Sequence, residues 1–179
     1  MLGLNGYMDE EVGRIKGLSL VKATLDHARM ISDSLRMHDA RECLIYGLTP
    51  LEALLEPFSV HGNKTYAIKF NETVIALCGT VPIEDNMGRV WMLGTGGINN
   101  NYRLFLRGCK KAIDILQGEY DSIENFVPED HTDTIMWLSW CGFVFDQQIY
   151  NIHGHNMMRF VRCRKPESNV YYLERPVMH

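Results

Sequence analysis

Two strand-like runs separated by one long amphipathic helix constrain this chain more than any other feature. Arg89 to Thr95 and Ser122 to Val127 read as strands, and the stretch between them carries Leu104, Phe105, Ile113 and Leu116 on one helical side. A strand, a helix and a second strand in that order predict a right-handed crossover that leaves the two strands parallel. The segments before it have a different character. Thr65 to Phe70 and Thr73 to Val81 are rich in β-branched residues and are separated only by Asn71 and Glu72, a hairpin turn. An antiparallel half followed by a crossover requires an α/β fold with a mixed, mostly antiparallel central sheet and helices on both faces.

The remaining elements fit that frame. Leu18 to Ala23 predicts a first strand, and Thr24 then caps a helix carrying Leu25, Ala28, Ile31, Ser32 and Leu35. A second helix over Asp39 to Tyr46 stops at Gly47. In Thr49-Pro50-Leu51-Glu52, threonine caps, proline suits the first helical position and Glu52 reaches back, so a third helix runs to about Pro57. After Ser122 to Val127 come a helix over His131 to Cys141, ended by Gly142, and strands at about Phe143 to Ile149 and Met157 to Arg164. With 179 residues, 46% of them hydrophobic, the chain suits one core. Residues 1–17 read as an N-terminal arm, 18–164 as the domain and 165–179 as a polar C-terminal tail. Leu2, Leu4 and Tyr7 in the arm and Val170, Tyr171, Tyr172, Leu173 and Val177 in the tail are apolar enough to serve as contacts with a partner.

A net charge of -4 gives no basic field to attract phosphate backbones, so free nucleic acid is not an expected partner. Apolar stretches such as Thr73 to Val81 fall far short of the roughly 20 residues that cross a bilayer, so no transmembrane segment is expected. Met1 to Gly6 shows no secretory signal pattern, and the protein is expected to stay where it is made. Cys43, Cys78, Cys109, Cys141 and Cys163 form an odd set without a CxxC pair, which reads as buried thiols. No metal is expected. His153-Gly154-His155 offers two imidazoles without a nearby acidic or cysteine ligand and reads as a hairpin loop.

Asn125-Phe126-Val127, then His131-Thr132-Asp133-Thr134-Ile135-Met136-Trp137-Leu138-Ser139-Trp140-Cys141-Gly142-Phe143, together with the element order, resembles the GNAT N-acetyltransferase fold over roughly residues 18–164. Within that superfamily the chain looks most like the GNAT-like internal virion or internal core protein A of T7-type bacteriophages. That resemblance implies a place in the host cytoplasm and, as a second location, the virion. It implies other phage or host proteins as partners, with self-association as a further option.

The resemblance also implies a cofactor, acetyl-CoA, whose pyrophosphate rests on backbone amides where a glycine-rich loop enters the long helix. The corresponding residues are Leu93, Gly94, Thr95, Gly96, Gly97 and Asn100, within a run that ends Asn99-Asn100-Asn101. The family's usual Arg/Gln-x-x-Gly-x-Gly/Ala spacing is missing, which puts retention of the cofactor in doubt. Many members carry a tyrosine acid four residues before the closing glycine, and counting back from Gly142 gives Leu138, which cannot donate a proton. The small residue of the motif becomes Thr134, and its asparagine becomes His131. Glu84, Asp85, Glu124 and Glu129 remain as candidate bases, with no catalytic residue assigned. Arg103, Arg107, Lys110 and Lys111 form a basic helix face that reads as solvated or as a contact for an acidic group. Trp91, Trp137 and Trp140 read as core. The expectation is therefore a GNAT-fold assembly or structural protein with an eroded site; the alternative is a working acetyl-CoA-dependent N-acetyltransferase.

Overall fold

The period-two segments form a three-strand meander. Its strands are β3 (Lys64–Phe70), β4 (Thr73–Glu84) and β5 (Met87–Gly94), all antiparallel. These coordinates are a computed structural model, and they describe residues 11–15, 17–84 and 86–164. Asn71 turns the first hairpin with φ 51°, a left-handed conformation that asparagine tolerates. Asn86 does the same with φ 57°, so the loop expected over Pro82 to Gly88 tightens into a turn, and the strand expected from Arg89 begins at Met87.

The segment read as an arm contributes a strand. β1 (Glu11–Ile15) pairs antiparallel with β2 (Leu18–Lys22), and Gly17 makes the bend between them at φ 86°. As an edge strand whose Glu11, Val12 and Arg14 are exposed, β1 has little burial to impose alternation, which is why its sequence shows no period. Leu2, Leu4 and Tyr7, and the tail from residue 165, lie outside the described residues.

β6 (Ser122–Pro128), β7 (Val144–Ile152) and β8 (His155–Cys163) complete an eight-stranded sheet of order β1-β2-β3-β4-β5-β6-β8-β7. β5 and β6 pair in parallel, as the crossover requires, and every other pairing is antiparallel.

Helices cover both faces. On one, α1 (Leu25–Ile31), α2 (Met37–Ile45) and α3 (Pro50–Ser59) follow one another, and Ala28, Ile31 and Leu54 pack on Val21, Ala67 and Leu77. The first helix stops four residues short of Leu35 because Ser32–Ser34 tightens into a 3-10 turn. On the other face lie the single turn α4 (Gly97–Asn100), the long α5 (Tyr102–Gln117) and α6 (Thr132–Trp140). There Phe105, Ile113, Leu116 and Leu138 pack on Ile75, Ile123, Val127 and Phe160.

The capping box at Thr49 is formed: the Glu52 N–H donates to Thr49 Oγ1 at 3.3 Å, and the Thr49 N–H donates to Glu52 Oε2 at 2.8 Å. Thr49→Ala is expected to cost about 1 kcal/mol, read as a fall in Tm of roughly 2–4 °C. An unchanged Tm would show that packing alone holds α3.

Candidate functional site

β5 and β6 run together only where Met87, Gly88 and Arg89 face Ser122, Ile123 and Glu124. Beyond that point they diverge, and the Asn125 side chain bridges the gap by donating from Nδ2 to the Val90 carbonyl at 2.8 Å. A cleft of about 1390 Å³ opens there, lined on one side by α5 and α6 and on the other by α2 and α3. Clefts where strand neighbours part are common ligand sites in α/β sheets.

The glycine-rich loop lies at one end. Its backbone is turned inward. The Gly94 N–H donates to Asp39 Oδ2 at 2.9 Å, and the Thr95 N–H donates to the Ile75 carbonyl at 2.8 Å. Thr95 Oγ1 accepts the Gly97 N–H at 3.1 Å, and the Thr95 carbonyl accepts the Ile98 N–H at 3.1 Å. Asn99 and Asn100 belong to α4, whose Asn100 N–H is held by the Gly96 carbonyl at 3.2 Å. The amides of Gly96 and Asn99 are the ones in this stretch left free among the described residues. The glycines themselves serve packing: a Cβ on Gly94 would collide with Ile98, and one on Gly97 would meet Ile75 at 2.5 Å. Leu93 and Ile98 line the cleft wall. A pyrophosphate needs several convergent free amides, and within Leu93 to Asn100 those of Gly96 and Asn99 remain for it.

On α6, Leu138 is 5% exposed and belongs to the core, with Ile135 and Trp137 packed beside it. Thr134 lines the cleft one turn away, whereas Ser139 faces solvent. The acidic candidates disperse. Glu84 is exposed, Asp85 is outside the described residues, and Glu129 accepts from Asn156. Glu124 is buried but ion-paired with Arg159, which also reaches Asp146 at 3.3 Å. Of the three described, none is an unpaired base in the cleft. His153 and His155 are exposed at the β7–β8 turn, and among the described residues no group of three or more His, Cys, Asp or Glu could hold a metal. Arg103, Arg107, Lys110 and Lys111 face solvent, and the Lys110 ammonium sits 4.0 Å above the Trp140 ring. Trp140, read as core, is 48% exposed, because α6 turns that side away from the sheet.

The α2 side of the cleft holds what the sequence reading missed. Asp39, 4% exposed, accepts from Arg36 Nε at 2.8 Å as well as from the Gly94 N–H, so α2 is clamped to the loop. Glu42 lies one turn further along, lines the same cleft and makes no hydrogen bond or ion pair among the described residues. Burial pushes its carboxyl up to about 7; Asp39 adds to the rise and Arg36 opposes it. Tyr46, one more turn on, meets the His153 ring at 6.2 Å, and its hydroxyl is raised by burial and by Glu42. For Asp39 a signal was present: it takes a buried position of α2, with Cys43 and Ile45, where the helix should carry an apolar side chain.

No known family model matches the sequence, and no curated protein does. Solved structures do. The α-N-protein acetyltransferase RimL in complex with coenzyme A superposes with a TM-score of 0.63 at 10% identity, covering 86% of this chain and 98% of that one. The dodecameric spermidine N-acetyltransferase SpeG from Vibrio cholerae gives a TM-score of 0.58 at 13% identity, covering 83% and 95%. The chain has the GNAT acetyltransferase fold, a mostly antiparallel α/β sheet with helices on both faces. Among the described residues no helix is long and apolar enough to cross a membrane.

Proposed function

We propose that this chain is a phage-encoded GNAT-fold protein that has lost acetyl transfer and acts through surface contacts, as a virion-associated or assembly protein in the host cytoplasm. Its partners are other phage or host proteins, or a second copy of itself. The observation that carries this reading is the closed loop: Asp39, Ile75 and Thr95 occupy the amides of Gly94, Thr95, Gly97 and Ile98 that a cofactor phosphate would need. Two further features agree with it. The acid position is the buried Leu138, and the Asn125 side chain spans the gap between the diverging strands. The phage assignment rests on the sequence likeness of the β6–α6 segment.

A second reading, an acetyl-CoA-dependent N-acetyltransferase, is favoured by Glu42, an unpaired carboxyl near neutral pKa in the cleft, where a base for an amine would stand. Calorimetric titration of the full chain with acetyl-CoA separates the two. The expected result is no heat of binding at micromolar concentrations. A micromolar Kd would remove the first reading and establish the second as the working one.

A further inference from the structure

We propose that Cys109 on α5 and Cys141 at the end of α6 are the site of a reversible intramolecular disulfide that staples the two helices together. Their sulfurs lie 3.8 Å apart, and each residue is 4% exposed. A disulfide requires an approach to about 2.05 Å, a shift that side-chain rotation and small helix movements supply.

The pair is chemically asymmetric. The hydrogen bond shared with the Cys141 thiol lowers the pKa of Cys109, and burial opposes this. The same bond and burial raise Cys141. Cys109 is therefore the thiol that ionises and attacks, and Cys141 the one that resolves. Access follows the same division, because Cys109 lines both the cleft and a small apolar pocket beside β1 and β2. Cys43 and Cys78 are buried, and burial raises their thiols to about 11 and about 12. Cys163 is exposed on β8.

The oxidant is a peroxide. The Cys109 thiolate attacks one oxygen of hydrogen peroxide, the O–O bond breaks, and a sulfenic acid and one water result once a proton is taken up. The Cys141 sulfur then attacks the sulfenic sulfur, its own proton leaving with the hydroxyl as a second water. In sum, two S–H bonds and one O–O bond break, one S–S bond and two O–H bonds form, the sulfurs lose two electrons and the peroxide oxygens gain them. The bond closes a loop running from residue 109 to residue 141 that contains β6, so it ties α5 and α6 together across the strand they both cover.

The test uses the full chain carrying Cys163→Ser, treated with stoichiometric hydrogen peroxide and then with dithiothreitol. Intact mass is expected to fall by about 2 Da as two thiol hydrogens leave. Peptide mapping is expected to link Cys109 to Cys141, and Tm to rise by roughly 5–10 °C. Dithiothreitol should reverse all three. Adding Cys109→Ser or, should that variant fold poorly, Cys141→Ala should abolish the mass loss. A linkage involving Cys43 or Cys78, oxidation of Cys109 beyond the sulfenic stage without a link, or unreacted thiols in the folded protein would each overturn the assignment. None of these outcomes depends on whether the cleft binds a cofactor.

Discussion

Replacing Asp39 by alanine is expected to lower the unfolding free energy by about 3–5 kcal/mol, because it leaves a largely buried guanidinium without its counter-ion. Arg36 is only 15% exposed at its side chain, and the Gly94 N–H would lose its acceptor in a buried position. The fall in Tm should be roughly 10 °C for a domain of this size. Asp39→Asn keeps a carbonyl oxygen for the Gly94 amide and should lose less. Chemical denaturation of the three proteins at one pH checks the order. A loss below about 1 kcal/mol for Asp39→Ala would mean that the pair behaves as a surface ion pair and does not clamp α2 to the loop.

Glu42→Gln should act in the opposite direction. The folded carboxyl titrates at about 7, well above the ordinary value of 4.5 that it regains on unfolding. Between those values the folded state holds a proton that the unfolded state has released, so this group's stabilising contribution is present below pH 4.5 and is lost as pH rises through 7. Glutamine cannot ionise, and the variant should escape that loss. The expected gain over the parent is near zero at pH 4 and roughly 2–3 kcal/mol at pH 8. Asp39, Arg36, Tyr46 and Arg89 surround the site in both proteins, so the difference between the two curves isolates Glu42. Parallel curves across that range would show that the carboxyl is ionised and solvated throughout.

How much of this was legible in the sequence depends on whether a signal was local. The Thr49–Glu52 box, the Asn71 hairpin and the parallel crossover from β5 to β6 are each dictated by a few neighbouring residues, and all were readable. Leu138 could be placed because Gly142, at φ 94°, fixes the count at the end of α6. What the glycine-rich loop does with its amides was not legible for a physical reason: glycines permit amides to face a phosphate, but whether they do depends on what else claims them. Here Asp39 lies 55 residues from Gly94, and Ile75 lies 20 from Thr95. Glu42 was passed over because it sits in mid-helix without a motif around it, and only the packing of α2 over the cleft desolvates it. Cys109 and Cys141, 32 residues apart, likewise become a pair through tertiary structure alone.

The narrow contact between β5 and β6 also sets an order of events. Strands β1 and β2, strands β3 to β5, and strands β7 and β8 are each joined by short turns, so each of these groups closes small loops and gathers contacts quickly. Joining Met87 to Ser122 instead requires closure across 35 residues, for a reward of only a few paired residues. The hairpin groups therefore assemble first, and the β5–β6 junction forms after them, as do the long-range β2–β3 and β6–β8 pairings. In the reverse direction the same junction parts first. Substitutions there, such as Asn125→Ala, consequently speed unfolding while leaving the folding rate nearly unchanged.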